Sequence, residues 1–464
     1  MRKKLLSFIA IVLFSGIVFT YSTMLAEETA ATAPRSLETV SAEIEQELST
    51  LLGLWYPQSV DPNGGFYTSF SREWKLQDWP RKGLIHQARM TWTAAEVMRR
   101  RPQYAEQYLP IVKHGCKFLK EKMWDKECGA FYWEVNKDGS PITDNAFMKH
   151  AYGESFAIYA LATAYKVTKD PEDLEFAKRT FWWLDRWGHD ERCGGYHESF
   201  YRDGRRMNAT PNDPNPEYQY KQGRCREPLN GRSMNAHIHL LESFTVLYSV
   251  WPDDTLRARL EELVHIIRDK VTTWPGAMRQ FFDDQWSPAA TYVSFGHDVE
   301  TTYLLVEAVE ALGRPEDEYT WKVAKALTDH SLEYGWDDTF GGFWYDGATF
   351  AKTPAIKSKF WWVQAEGLNT LLLLTDKYGQ DNPNYYRCFV MQWDFIKNFI
   401  VDKEYKGWYA VTEGDGSDPQ GLSKILNVQP AGMEKSHLWK TSYHEVRALL
   451  NVAIRAERML KDKK

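Results

Sequence analysis

A short motif of glycine followed by aromatics keeps returning along this chain: Asn63-Gly64-Gly65-Phe66-Tyr67, Cys128-Gly129-Ala130-Phe131-Tyr132, Cys193-Gly194-Gly195-Tyr196-His197, Phe340-Gly341-Gly342-Phe343-Trp344 and Lys406-Gly407-Trp408-Tyr409. Its glycines fall about 65 residues apart from Gly64 through Gly129 to Gly194, and again from Gly341 to Gly407. A fixed period marks one repeated supersecondary unit, which cannot bury its apolar face without neighbours. The wide gap between Gly194 and Gly341 leaves room for one more unit and an insertion. Asp283-Asp284-Gln285-Trp286 is the expected degenerate copy.

Between the turns, apolar residues recur at i, i+3, i+4 and i+7, which predicts helices. Twelve are expected, near residues 37–54, 82–100, 106–123, 150–167, 171–187, 233–250, 255–272, 297–313, 317–334, 360–378, 382–400 and 441–462. Joined as six hairpins, they predict an all-α chain: an (α/α)6 barrel, or six-hairpin toroid, with short Gly-aromatic β-turn segments at one rim. At 464 residues the chain could hold two or three average domains, but a barrel absorbs residues 37–462 as a single domain. The stretch 203–231 is polar, rich in Pro and Asn and without periodicity. It reads as a loop insertion, either a lid or plain surface decoration.

A chain with 43% hydrophobic and 26% charged residues folds and buries a core. Its net charge of −6 makes nucleic acid and anionic membrane surfaces poor partners. Arg2-Lys3-Lys4, an apolar run from Leu5 to about Thr20 and small residues around Ala26 have the layout of a secretory signal peptide over residues 1–26. The expected location is periplasmic or secreted, with no integral membrane domain beyond an uncleaved N-terminal anchor as the alternative. Five scattered cysteines, Cys116, Cys128, Cys193, Cys225 and Cys388, argue against a disulfide framework.

Polar and aromatic residues gather at the starts of the expected inner helices. Asn235 and His239 are i and i+4 and share a face, whereas His237 points elsewhere. His297 and Glu300 are i and i+3, so the carboxylate can orient the imidazole. Trp361 and Trp362 stand at the mouth of the next inner helix, Trp439 and His444 at that of the last. Arg89 and Tyr152 add a fixed cation and a phenol. Each has a plain reading taken singly, as a satisfied histidine or a packed tryptophan. His239, Glu242, His297, Glu300 and His444 could also hold a metal. The order here, however, is His-x-x-Glu rather than the Glu-x-x-His of bundle di-metal sites, and no tight ligand cluster stands out in the chain. No metal is expected. A glycoside hydrolase would draw its two carboxylates from acids such as Asp298, Asp337 and Asp338. A non-catalytic sugar binder would keep the tryptophans without needing His297, Glu300 and His444 together.

Met234-Asn235-Ala236-His237-Ile238-His239-Leu240-Leu241-Glu242, Ser294-Phe295-Gly296-His297-Asp298-Val299-Glu300 and Trp361-Trp362-Val363-Gln364-Ala365-Glu366 closely resemble, in the same order, motifs of the N-acylglucosamine 2-epimerase and cellobiose 2-epimerase superfamily. The likeness is greatest to the cellobiose/mannobiose branch and runs from about residue 40 to 460 outside the loop. Trp439, Lys440, Tyr443 and His444 also agree, but Thr441, Ser442 and Glu445 stand where that branch has Cys, Pro and Asn, which bears on the substrate more than on the reaction. The resemblance implies a sugar 2-epimerase inverting C2 of the reducing-end aldose of a β-linked disaccharide. His297 and His444 would flank the substrate, with Glu300 stabilising the imidazolium of His297. Arg89, Asn235 and His239 would contact sugar oxygens, Glu366 would join the substrate contacts, and Tyr152, Trp361, Trp362 and Trp439 would form the walls. Taking a proton from C2, holding a cis-enediolate and returning a proton to the other face needs two acid/base groups and no cofactor. An N-acylglucosamine 2-epimerase or an aldose-ketose isomerase would use nearly the same residues.

Overall fold

The computed structural model describes residues 35–142, 149–207, 231–289, 292–412 and 433–462. The expected leader at 1–26, most of the loop expected at 203–231, and Cys225 lie outside them. Among the described residues there are twelve long helices: α1 Leu37–Trp55, α2 Leu84–Arg100, α3 Ala105–Phe118, α4 Ala151–Thr168, α5 Pro171–Trp187, α6 Met234–Tyr248, α7 Asp254–Ile266, α8 Phe295–Ala311, α9 Glu318–Tyr334, α10 Trp361–Tyr378, α11 Asn384–Phe395 and α12 Tyr443–Lys461. Three outer helices run on into a widened π turn, at Leu119–Met123, Ile267–Val271 and Ile396–Ile400. Among the described residues no helix is long and apolar enough to cross a membrane, and Cys116, Cys128, Cys193 and Cys388 are free thiols.

The helices form two concentric rings. α2, α4, α6, α8, α10 and α12 pack side by side, and α12 closes back on α2. Each inner helix is paired with an outer one, α12 with α1. The rings differ because their sequences differ. Outer helices carry one apolar stripe, as in α5, where Ala177, Phe181 and Leu184 are buried. Inner helices are buried on nearly every side, as in α4 from Ala151 to Ala164. Caps start several outer helices: Asp170 before Pro171, Asp253 before Asp254 and Asp317 before Glu318 each accept a first-turn N–H.

Short antiparallel strand pairs fasten neighbouring units at one rim. Arg81–Gly83 pairs with Glu134–Asn136, Lys149–His150 with Ser199–Phe200, Gly231–Ser233 with Phe281–Asp283, Tyr292–Ser294 with Asp346–Ala348, and Lys359–Phe360 with Val411–Thr412. The Gly-aromatic turns brace this rim from below. In five of them a buried aspartate oxygen meets a buried cation: Asp61 with Lys82 (2.7 Å), Asp125 with Lys149 (3.2 Å), Asp190 with Arg232 (2.5 Å), Asp337 with Lys359 (2.7 Å) and Asp402 with Lys435 (2.9 Å). In four, the same cation also donates to a turn carbonyl, that of Gly64, Gly129, Gly194 or Gly341. Glycine is required here: at Gly195, with φ +76°, a Cβ would stand 2.5 Å from the Trp286 ring.

The sixth copy is not at Asp283–Trp286. Those residues form a later turn, Asp283 N–H to Ser287 O, matching Asn136 to Ser140 and Tyr201 to Arg205. The true copy is Gly276-Ala277-Met278, where Arg279 N–H reaches Val271 O as Tyr132 N–H reaches Met123 O. Gly276 keeps the even spacing before Gly341. Met278 in the aromatic position and Pro275 before the glycine obscure it.

Candidate active site

Counting from the first residue of each inner helix separates structure from chemistry. The fourth residue of five of them, Gln87, Glu154, His237, Asp298 and Gln364, turns outward and accepts a backbone N–H of a Gly-aromatic turn, that of Phe66, Phe131, Tyr196, Met278 and Phe343 respectively, at 2.7–3.1 Å. The sixth residue, some 200° further round the helix, is Arg89, Phe156, His239, Glu300 or Glu366. These occupy the barrel axis. His237 is therefore a structural histidine: Nε2 accepts from Tyr196 N–H (3.0 Å), Nδ1 donates to Ser233 O (2.7 Å), and burial pushes its pKa down to about 3. His239 faces the cavity beside Tyr152 and Phe156, with ring centroids 5.2 and 4.8 Å away. Asn235 shares that face, and its Oδ1 has no partner among the described residues.

One arginine that the motifs do not single out organises the centre. Arg447, 3% exposed, binds Glu242 and the Tyr443 hydroxyl through Nη1, and Glu300 (2.5 Å) and Glu366 (2.6 Å) through Nη2. Two of these carboxylates orient histidines. His239 Nδ1 lies 2.9 Å from Glu242 Oε2, and His444 Nδ1 lies 2.5 Å from Glu366 Oε1. Tyr443 donates to Glu242 (2.7 Å) and Tyr303 to Glu366 (2.9 Å). The result is a continuous chain from His239 through Glu242, Arg447 and Glu366 to His444. Burial opposes ionisation of Glu242, but the Arg447 charge and the His239 hydrogen bond outweigh it and hold its pKa at about 2. Burial pushes Glu366 and Glu300 upward, and Arg447 opposes it in both. One ligand atom from each of Glu300, Glu366 and His444 comes within 4.8 Å of the others, and the guanidinium of Arg447 occupies the cation position beside both carboxylates.

Two expectations are corrected here. Glu300 does not pair with His297; it takes Arg447 and lies 4.0 Å from His444 Nδ1. Helical side chains tilt toward the N-terminus, and the His297 ring swings back to Ser294, whose Oγ is 2.7 Å from Nδ1. Ser294 sits at the N-cap of α8 without capping it; its hydroxyl serves the histidine instead. Glu366, expected among the substrate contacts, is fully buried instead of open to the cavity, and its oxygens are taken by His444, Arg447 and Tyr303. Nor do the acids considered for hydrolysis reach the cavity. Asp298 braces Met278, Asp337 holds Lys359 and Asp338 holds Lys352.

The remaining groups line the mouth. Trp362 lies against both imidazoles, 4.8 Å from His297 and 5.7 Å from His444. Trp361 is deeper, 6.3 Å from His444. Trp439, 38% exposed, stands 6.4 Å from Trp133 at the rim. Arg89 donates to the Tyr152 hydroxyl and Trp439 O, both at 3.1 Å, and its guanidinium covers the Phe156 ring. Burial, then the neighbouring His239 and Arg89, lowers His297 to about 3. Burial, then Arg89 and Arg447, lowers His444 well below the usual histidine value. Both rings are therefore neutral at neutral pH, as a base must be.

The inner ring of six helices delivers two neutral imidazoles, a fixed arginine and a tryptophan-lined mouth to one end of its axis, and the relatives of this chain make it a sugar epimerase or isomerase. The profile of the N-acylglucosamine 2-epimerase (GlcNAc 2-epimerase) family matches residues 65–425, and the chain belongs to that family. It is 29% identical over 426 residues to the cellobiose 2-epimerase of Bacteroides fragilis, covering 89% of this chain and 99% of that one. It is 22% identical over 424 residues to the D-mannose isomerase of Marinomonas mediterranea, covering 88% and 96%. The solved cellobiose 2-epimerase of Bacillus thermoamylovorans superposes with a TM-score of 0.77 at 27% identity, over 90% of this chain and all of that one.

Proposed function

We propose that this chain inverts C2 at the reducing-end aldose of a β-linked disaccharide of cellobiose or mannobiose type, with His297 and His444 as the proton carriers. The observation that carries this reading is the placement of both imidazoles against the single Trp362 indole with different partners, a hydroxyl for His297 and a carboxylate for His444. One neutral imidazole takes the C2 proton, and the C2–H electrons form the C1–C2 double bond of an enediolate with its charge on O1. Arg89 and His239 stabilise that charge. The enediolate's negative charge favours the protonated form of the other imidazole, which takes a proton from solvent and returns it to the opposite face of C2. Glu366 stabilises that form at His444. The exposed Trp439 beside Trp133 offers apolar faces to the second sugar ring, and the cellobiose 2-epimerase relatives support a disaccharide.

Incubating the protein with cellobiose, mannobiose and N-acetylglucosamine in D2O, with proton NMR of the products, tests the reading. Deuterium at C2 together with the C2 epimer supports it and names the sugar. Ketose formation favours the second reading, an aldose-ketose isomerase, for which the D-mannose isomerase relative speaks. Absence of exchange with every sugar overturns both. The leader-like residues 1–26 further support action outside the cytoplasm, which N-terminal sequencing of the protein from its host's periplasm or medium would check.

A further inference from the structure

The inner helices enter at the catalytic rim and run to the other end of the barrel. There the last turns of α2, α4, α6 and α8 surround a second cavity of about 190 Å3. Arg99, Arg100, Lys166, Glu96, Glu307 and Arg447 are among its walls. Both guanidiniums of α2 share one carboxylate: Arg99 reaches Glu96 at 2.6 and 2.9 Å and Arg100 at 2.6 Å. Lys166 has no hydrogen bond or ion pair among the described residues. Burial raises Glu307 to about 7, so its carboxyl is only partly ionised at neutral pH. The lining thus carries an excess of positive charge.

Helix C-termini account for basic residues in last turns. They do not account for Arg447, which belongs to both cavities. Its Nη1 and Nη2 are spent on the catalytic carboxylates, while its buried Nε has no partner among the described residues. A buried N–H left unmade is destabilising, and Arg447 forms part of the far cavity's wall. We propose that this cavity binds a small oxyanion between Lys166, Arg100 and Arg447. An anion there shares the guanidinium that Glu242, Glu300 and Glu366 use, so the far end of the barrel and the catalytic histidines meet at one residue.

Thermal melts and calorimetry of the whole protein in inorganic phosphate, sulfate and malonate, against chloride at matched ionic strength, test the proposal. Phosphate is expected to raise Tm with the logarithm of its concentration. Lys166→Ala removes a half-buried, unpartnered side chain. It is expected to weaken phosphate about ten-fold, as loss of one charge-assisted hydrogen bond predicts, with turnover in phosphate-free buffer unchanged. Stabilisation by all three anions assigns recognition by charge, and stabilisation by phosphate alone assigns a phosphate site; both support the proposal provided Lys166→Ala weakens them. Equal melting in phosphate and chloride, or undiminished phosphate affinity in Lys166→Ala, overturns it.

Discussion

His444 presents its Nδ1 2.5 Å from Oε1 of Glu366, a carboxylate 78 residues away in the chain. With Arg447 and the Tyr303 hydroxyl already donating to that carboxylate, Nδ1 must supply the proton of the shared hydrogen bond. The tautomer that results leaves Nε2 as the lone-pair nitrogen. Glu366→Gln keeps the shape and removes this control. It is expected to lower kcat about a hundred- to ten-thousand-fold with little change in KM, read as the rate of C2 deuterium exchange.

Arg447 is the cation shared by three buried carboxyl groups. Arg447→Met leaves Glu242, Glu300 and Glu366 without their cation and is expected to cost about 3–5 kcal/mol, together with turnover. Urea unfolding of the two proteins gives the difference. Unchanged stability would mean that the carboxylates take up protons instead.

His237 and His239 separate cleanly. Gln87 and Gln364 do in their units what His237 does in its own, so His237→Gln is expected to melt within a degree or two of the parent. His237→Leu leaves the Tyr196 N–H buried without an acceptor and costs about 1–3 kcal/mol, while the folded fraction keeps its turnover. His239→Ala has the opposite signature, with turnover lost in protein that still folds.

Stability should fall on the acid side. His297 titrates at about 3 in the folded chain because burial disfavours its charged form, against about 6.5 when unfolded. The unfolded chain therefore binds more protons between these values, and stability is lost as pH falls through that window. Glu242, held at about 2 by Arg447 against burial, acts in the same direction at lower pH. Per pH unit between 6 and 5, His297→Asn should lose about 1 kcal/mol less than the parent, measured by urea melts at each pH.

Trp439 is expected to set affinity for the second sugar. Trp439→Ala should raise KM for a disaccharide several-fold, by about 1 kcal/mol of lost ring contact, and leave a monosaccharide's KM nearly unchanged. Initial rates with cellobiose and mannose compare the two.

Much of the site was legible in the chain, because position within a helix is a local property. Asn235 and His239 share a face by spacing alone, and the same spacing sets His237 apart. The bracing role of Gln87, Asp298 and Gln364 was legible in principle, since all stand fourth in their helices, but only an alignment of helix starts reveals it. The Gly276 unit is hidden for a local reason: Met278 stands where the pattern has an aromatic.

The barrel and the identity of its chemical groups follow from the chain alone. Glycine turns at an even interval and twelve apolar-periodic segments can bury their faces only by closing on one another, and the motif residues fall on the inner helices whatever the detail. The partnerships exist only in the folded chain: Glu300 with Arg447 rather than His297, Glu366 with His444, and His297 with Ser294. These depend on which side chains meet across the barrel axis from helices remote in sequence. In a medium where water is excluded, differences of an ångström decide which carboxylate holds which proton.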